Sequence, residues 1–174
     1  MAADSTLEVD VTTWLHGRFR DELRAADGTV RATDWQNNLV TYRALDLLAR
    51  LLANQPELDG GLYCAVGAGD AAWDADLPTP DARVTHLVRE IFRKPLDLAN
   101  AASYDATTHT LTLSITFGAG EAVGTLREFG IFGGDVTAAP DSGYLVNYKI
   151  HAPIDKKESD TLQRTVEFKL GATV

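Results

Sequence analysis

Leu111-Thr-Leu-Ser-Ile-Thr-Phe117 places an apolar residue at every second position, with threonine or serine between. Successive side chains of a strand point to opposite faces, so a period of two marks a strand with one face on a core and one toward water. The pattern recurs downstream. Tyr144, Val146, Tyr148 and Ile150 alternate with Leu145, Asn147, Lys149 and His151, and Val166, Phe168 and Leu170 alternate with Thr165, Glu167 and Lys169. Leu126-Arg-Glu-Phe-Gly-Ile-Phe132 is a further strand, with a bulge expected at Gly130. One-sided alternation is typical of antiparallel sheets, and each apolar face needs a second layer to cover it. The expected fold is mainly β: an antiparallel β-sandwich with one principal α-helix.

That helix is predicted over about residues 39–53. Leu45, Leu48 and Leu52 fall at i, i+3 and i+7, with Ala44, Leu47 and Leu51 beside them. Asn37 or Asn38 is the expected cap, and Pro56 suits the stop. Near the start of the chain, Leu7, Val9 and Val11 alternate with Glu8, Asp10 and Thr12, again as in a strand. Residues 18–24 and 29–35 flank Asp27-Gly28, a good hairpin signal. Gly61-Leu-Tyr-Cys-Ala-Val-Gly67 is a short apolar strand. Residues 70–81 hold two prolines and four aspartates, which fit a loop. Residues 82–92 are ambiguous, with a short helix as one reading, and residues 93–98 are extended. Asp155-Lys-Lys-Glu158 is a charged turn between two strands.

The chain has 174 residues, enough for one domain with a core that needs no staples. Apolar residues make up 45% and charged residues 24%, which excludes disorder as the main state. Sixteen basic and 25 acidic residues leave a net charge of −9, which argues against a nucleic-acid partner. A single cysteine, Cys64, rules out an intrachain disulfide and reads as a buried strand residue. The first residues carry no basic or apolar region of a signal peptide, so none is expected. The longest apolar-rich stretch, residues 44–53, contains Asp46 and Arg50 and is too short for membrane insertion.

Chemistry-bearing motifs are scarce. His16, His86, His109 and His151 lack metal-motif spacing and read as surface or loop residues. Gly67-Ala-Gly69 and Gly133-Gly134 match no phosphate-binding pattern and read as turns. Asp70, Asp74, Asp76 and Asp81 do not follow the spacing of a calcium loop. No catalytic residue, metal or cofactor is expected, and the chain reads as a non-enzyme. Trp14, Trp35 and Trp73 offer sugar-stacking surfaces, and Trp73 with Asp74 and Asp76 is a candidate ligand loop.

The order of the segments carries a resemblance. Gly28-Thr-Val-Arg31 leads to Gln36-Asn-Asn-Leu-Val40 and the leucine-rich helix. Tyr63-Cys-Ala-Val-Gly-Ala-Gly69, an acidic proline loop and Leu87-Val-Arg-Glu-Ile-Phe-Arg93 follow. Then come Leu126-Arg-Glu-Phe-Gly-Ile-Phe132, Gly143-Tyr-Leu145 and Ile154-Asp-Lys156 before the last strand. From about Gly28 to Leu170 the chain resembles small structural tail, tail-fibre or baseplate-associated proteins of tailed bacteriophages. The resemblance implies a virion subunit with no catalytic residues to transfer, assembled in the host cytoplasm. Its partners would be further copies of itself and other tail proteins. An alternative is a carbohydrate-binding adhesin at the tail tip, with a host surface glycan as partner, and another is a head-decoration or collar subunit.

Residues 1–27 lie outside the resemblance. They are read as an N-terminal strand and hairpin arm, and residues 28–174 as a single β-sandwich domain with the helix embedded. Leu7, Val9, Val11, Trp14, Leu15 and Phe19 are apolar among dense charge. They are the expected contacts with neighbouring subunits, because an exposed apolar strand otherwise invites aggregation. The other reading is that residues 7–20 add a strand to their own sheet.

Overall fold

The computed structural model describes residues 15–55, 58 and 61–171. In chain order the elements are β1 (Leu15–Arg24), β2 (Val30–Ala32), β3 (Gln36–Val40), α1 (Tyr42–Leu52), β4 (Leu62–Gly67) and β5 (Glu90–Pro95). Then follow α2 (Leu98–Ala101), β6 (Ala102–Asp105), β7 (Thr110–Phe117), β8 (Gly124–Gly133), β9 (Tyr144–Lys156) and β10 (Thr161–Leu170). The fold is mainly β and antiparallel with one main helix, as expected. No helix among the described residues is long and apolar enough to cross a membrane.

The strands form one sheet in the order β5-β4-β8-β9-β3-β1-β10-β7-β6, with β2 paired to β1. The layers of the expected sandwich are thus two halves of a single sheet curled into a half-barrel. Short β3 joins them. Its first residues pair with β1 (Gly17↔Asn38, Phe19↔Gln36) and its last two with β9 (Leu39↔Tyr148, Val40↔Asn147). Curling brings the alternating faces together. Leu113, Ile115 and Phe117 of β7 and Leu162, Val166 and Phe168 of β10 meet Cys64, Val66, Leu126, Phe129 and Ile131 of β4 and β8 in one core. Phe19 and Phe129 approach to 4.9 Å between ring centroids, and Phe92 and Phe117 to 6.1 Å. A second core, around Leu87, Phe132, Leu145 and Tyr148, uses the other face of β8 and β9.

The helix is shorter than predicted. Gln36–Val40 is a strand, because its backbone completes the sheet between β1 and β9, and tertiary pairing overrides a weak helical preference. The cap position falls to Thr41, not Asn37 or Asn38, and the Thr41 hydroxyl donates to the Leu145 carbonyl instead of capping the helix. Only part of the leucine stripe reaches the protein. Ala44 is buried and Leu47 packs over Gly133 and Gly134, while Leu48, Leu51 and Leu52 are exposed. The bulges of β8 flank Gly130 rather than fall on it, between Leu126 and Glu128 and between Ile131 and Phe132. Gly130 itself is needed for close approach, since a Cβ there would collide with Leu145 and the Asn147 carbonyl. Residues 82–89 are turns and bends, and the helical turn that follows, α2, was not foreseen.

The described part of the arm belongs to the body. The hairpin forms as predicted, with Glu22↔Ala32 and Arg24↔Val30 paired and Thr29 N–H donating to Asp27 Oδ1 at 2.8 Å. Yet β1 lies inside the sheet, paired with β10 from Leu15↔Leu170 to Arg24↔Thr161. Phe19 is 1% exposed in the core, which corrects its assignment to a subunit interface, while Leu15 is half-buried against that core. Ten successive cross-strand pairs and the aromatic contact with Phe129 hold that face inside the molecule. Leu7, Val9, Val11 and Trp14 lie outside the described residues. The Phe19→Ala chain should lose about 3–5 kcal/mol of stability, read as a lower urea midpoint at unchanged slope. An unchanged midpoint would return Phe19 to the surface.

Candidate functional site

The acidic loop was the sequence's main ligand candidate, and its side chains are committed elsewhere. Asp70 caps a turn of 3-10 helix at Ala71–Asp74 by accepting from Ala72 N–H at 2.9 Å. That turn lays the Trp73 ring over Gly69, where a Cβ would strike it, and half-buries it against the second core. Asp74 receives both arms of the Arg127 fork at 2.7 Å, and this pairing holds its carboxyl below the usual range. The third Arg127 nitrogen donates to the Ala68 carbonyl at 3.2 Å. Trp73 and Asp74 therefore fasten the loop to β8, and only Asp76 of the three named residues points to a free, exposed position. Among the described residues no group of three or more His, Cys, Asp or Glu side chains is arranged to hold a metal ion.

The dense chemistry is buried, where the sequence did not reveal it. Asp21 of β1 and Arg164 of β10 are directly opposed in register, and Arg164 donates through Nε and Nη2 to the two carboxylate oxygens at 2.7 Å. Both are at most 3% exposed. The guanidinium stacks 4.0 Å from the Phe129 ring centroid, across the core. His151 of β9 completes the cluster, with Nε2 3.2 Å from Arg164 Nη2 and Nδ1 2.8 Å from the Ala152 carbonyl. A carbonyl only accepts, so Nδ1 carries the proton and Nε2 accepts from the arginine. Burial first, and then the arginine charge, push the His151 pKa from 6.5 down to about 4. His151 is therefore a neutral interior group, not the surface histidine expected.

Glu128 of β8 is also fully buried. Its carboxylate accepts from Val88 N–H at 2.9 Å, Arg89 N–H at 2.7 Å and the Tyr148 hydroxyl at 2.6 Å. Gly67 lies beneath it, where a Cβ would collide with the carboxylate. Tyr148 is pushed well up, by burial and then by this carboxylate. Lys156, at the turn read as simply charged, is 1% exposed and donates to the Gly118 and Asp160 carbonyls at 2.9 and 2.8 Å. Cys64 is buried as expected, and its thiol is pushed up to about 12 by desolvation. A thiol held that high supplies almost no thiolate at neutral pH, so it is a packing residue.

An apolar opening of the described residues is a groove of about 400 Å³. It lies where β3 leaves β1 and leads into α1, and its walls include Leu15, Leu39, Val40, Tyr42 and Leu45. The sequence did not mark it, because its walls come from three separated segments that only the sheet order unites.

Two measurements test the buried groups. Unfolded, His151 takes up a proton near pH 6.5, and folded only near 4, so between those values the unfolded chain holds the extra proton. Its contribution should be full above pH 6.5 and fall by on the order of 3 kcal/mol as pH drops to 4. Urea titrations across that window, against a His151→Gln chain that lacks the slope, read it directly. Glu128→Ala strands two backbone N–H groups and a phenol, and should cost roughly 3 kcal/mol or more. Limited proteolysis should then cut within residues 82–89 first; an unaltered cleavage pattern would mean that Glu128 does not hold this loop.

Compared with family models, with curated proteins and with solved structures, the chain has no match.

Proposed function

We propose that this chain is a non-enzymatic structural subunit of a tailed-phage virion, placed in the tail, tail-fibre or baseplate region and acting through protein–protein assembly. The resemblance supplies the class of particle. Its recurring segments turn out to be architectural. Gln36–Val40 is the strand that joins the two half-sheets, Arg127 and Glu128 fasten the long loop, and Lys156 fastens the last turn. Residues whose charges are spent on internal bonds suit a part whose work is to hold a shape.

The observation that carries the assembly reading is the β5 edge. β5 pairs with β4 and ends the sheet, leaving its outer backbone groups without a strand partner among the described residues. Ile91 on this strand is exposed, as are Val88 just before it and Val123 beside Gly124, which Ile91 approaches. An open edge flanked by apolar side chains is a template for another chain's strand, and a protein that keeps one needs a partner to cover it. Arg93, paired with Glu90 at 2.6 Å and donating to Thr137 and Ser142, fastens β5 to the 134–143 loop, although the ladder with β4 is irregular at Ile91.

Ile91→Lys should leave the melting transition of the isolated chain within about 0.5 kcal/mol of the parent, as a surface change does. It should nevertheless prevent incorporation into particles. Electron microscopy of whole particles carrying a tagged chain checks both parts. A tag absent from the virion overturns the proposed class, and normal incorporation of the Ile91→Lys chain overturns the β5 contact.

A further inference from the structure

Trp35 belongs to neither core. It is half-buried, with the guanidinium carbons of Arg18 and Arg20 4.4 and 4.9 Å from its ring centroid. Arg18 and Arg20 are two residues apart on β1 and share its outer face, since Phe19 between them points into the core. Their charges have different fates. Arg18 is paired with Glu167 at 2.6 Å. Arg20 is exposed and has neither a hydrogen bond nor an ion pair among the described residues. Stacking on an indole fixes the plane of a guanidinium and leaves its N–H edge free to meet an anion. The part of Trp35 is to hold that edge of Arg20 in place.

Arg20 lines a cleft of about 150 Å³ where β1 meets β10 and the chain leaves β2. The other polar groups of the wall have hydrogen-bonding capacity to spare. Thr33 Oγ1 accepts from Asp21 N–H at 2.9 Å, which leaves its hydroxyl proton to donate. Gln163 donates to Ser114 at 3.2 Å and keeps its side-chain carbonyl free to accept. The Thr165 hydroxyl makes no hydrogen bond among the described residues. Glu22 uses Oε1 on Arg24 at 2.9 Å and keeps Oε2. Asp21 turns its carboxylate inward to Arg164, which anchors β1 beneath the cleft. The wall therefore offers one fixed cation together with neutral donors and acceptors at close quarters. A guanidinium edge matches the two oxygens of a carboxylate. The hydroxyls, the amide and the spare Glu22 oxygen match a ligand whose own groups both donate and accept, as ring hydroxyls do. The Glu22 carboxylate on the same wall opposes a doubly charged phosphate and tolerates a single charge better. We propose that this cleft binds an acidic sugar residue, with Arg20 on its carboxylate and Thr33, Gln163 and Thr165 on its hydroxyls. The cleft uses no residue of the β5 edge, so it stands or falls apart from the assembly reading.

The test is a titration of the full chain with glucuronate, N-acetylneuraminate, glucose and acetate, followed by NMR at the Trp35 indole N–H and the Gln163 side-chain amide. At least one of the two sugar acids should shift both signals to saturation. It should bind on the order of tenfold more tightly than glucose, which lacks the carboxylate, or acetate, which lacks the hydroxyls. Arg20→Gln changes an exposed position and should keep the urea midpoint while weakening the sugar acid by on the order of tenfold. Thr165→Val keeps the shape of the side chain and should weaken the sugar acid severalfold without altering acetate. Saturation by neither sugar acid would overturn the site, as would affinity indifferent to Arg20→Gln. Acetate binding as tightly as the sugar acid would also overturn it, and would leave a site for a lone carboxylate such as a protein side chain carries.

Discussion

Arg164 carries its full positive charge in the middle of the curled sheet, and the rest of the fold is arranged around that fact. A buried guanidinium is tolerable only with a carboxylate in bidentate contact, and Asp21 can meet it only if β1 and β10 hold their register. A slip of one residue would turn Asp21 to the other face and strand the charge. The face of the same guanidinium rests on Phe129, so it also ties the β1–β10 half to the β8–β9 half. His151 closes the cluster from β9 and has to stay neutral to accept from it. One charged group thereby sets a register, a distance between halves and a protonation state.

The other buried polar groups repeat this logic at the edges of the sheet. Glu128 gathers two loop amides, Lys156 gathers two turn carbonyls, and Lys94 of β5 reaches the Thr116 carbonyl of β7 and Glu121 at 3.0 and 2.6 Å. Glu121 is held below its usual range chiefly by that lysine. Each contact ties a long connection, or in the case of Lys94 the end strand β5, to the body. Such contacts add less net stability than an apolar core of the same volume would, but breaking one leaves unpaired charge inside, so alternatives are penalised. A shape fixed this way is useful to a subunit that must present the same edges in every copy. It is consistent with the assembly role proposed here.

The strands were legible because their apolar faces alternate, and alternation is a local property. Leu111 to Phe117, Tyr144 to Ile150 and Val166 to Leu170 all fall in strands, and the Asp27-Gly28 hairpin follows from turn chemistry alone. What was misread depends on neighbours distant in sequence. Leu39 and Val40 look like the start of a helix until Tyr148 and Asn147 claim them as strand partners. Phe19 looks like an interface residue until β10 closes over it. Arg164, Asp21 and His151 carry no motif at all: they are separated by 143 and 13 residues along the chain and meet only through the sheet order. The internal contacts of Trp73 and Asp74 were hidden for the same reason, since their partners, Gly69 and Arg127, lie elsewhere along the chain.

The leucine stripe of α1 shows where the limit of such reading lies. The stripe at 45, 48 and 52 is a correct observation, and so is the inference that it wants cover. Which surface provides that cover is a separate question. The sheet takes the Ala44 and Leu47 side, where Gly133 and Gly134 let the helix close in, and leaves Leu48, Leu51 and Leu52 outward. Periodicity measures how apolar a face is and is blind to whether the covering layer is the core, a neighbour or a distant stretch of the same chain.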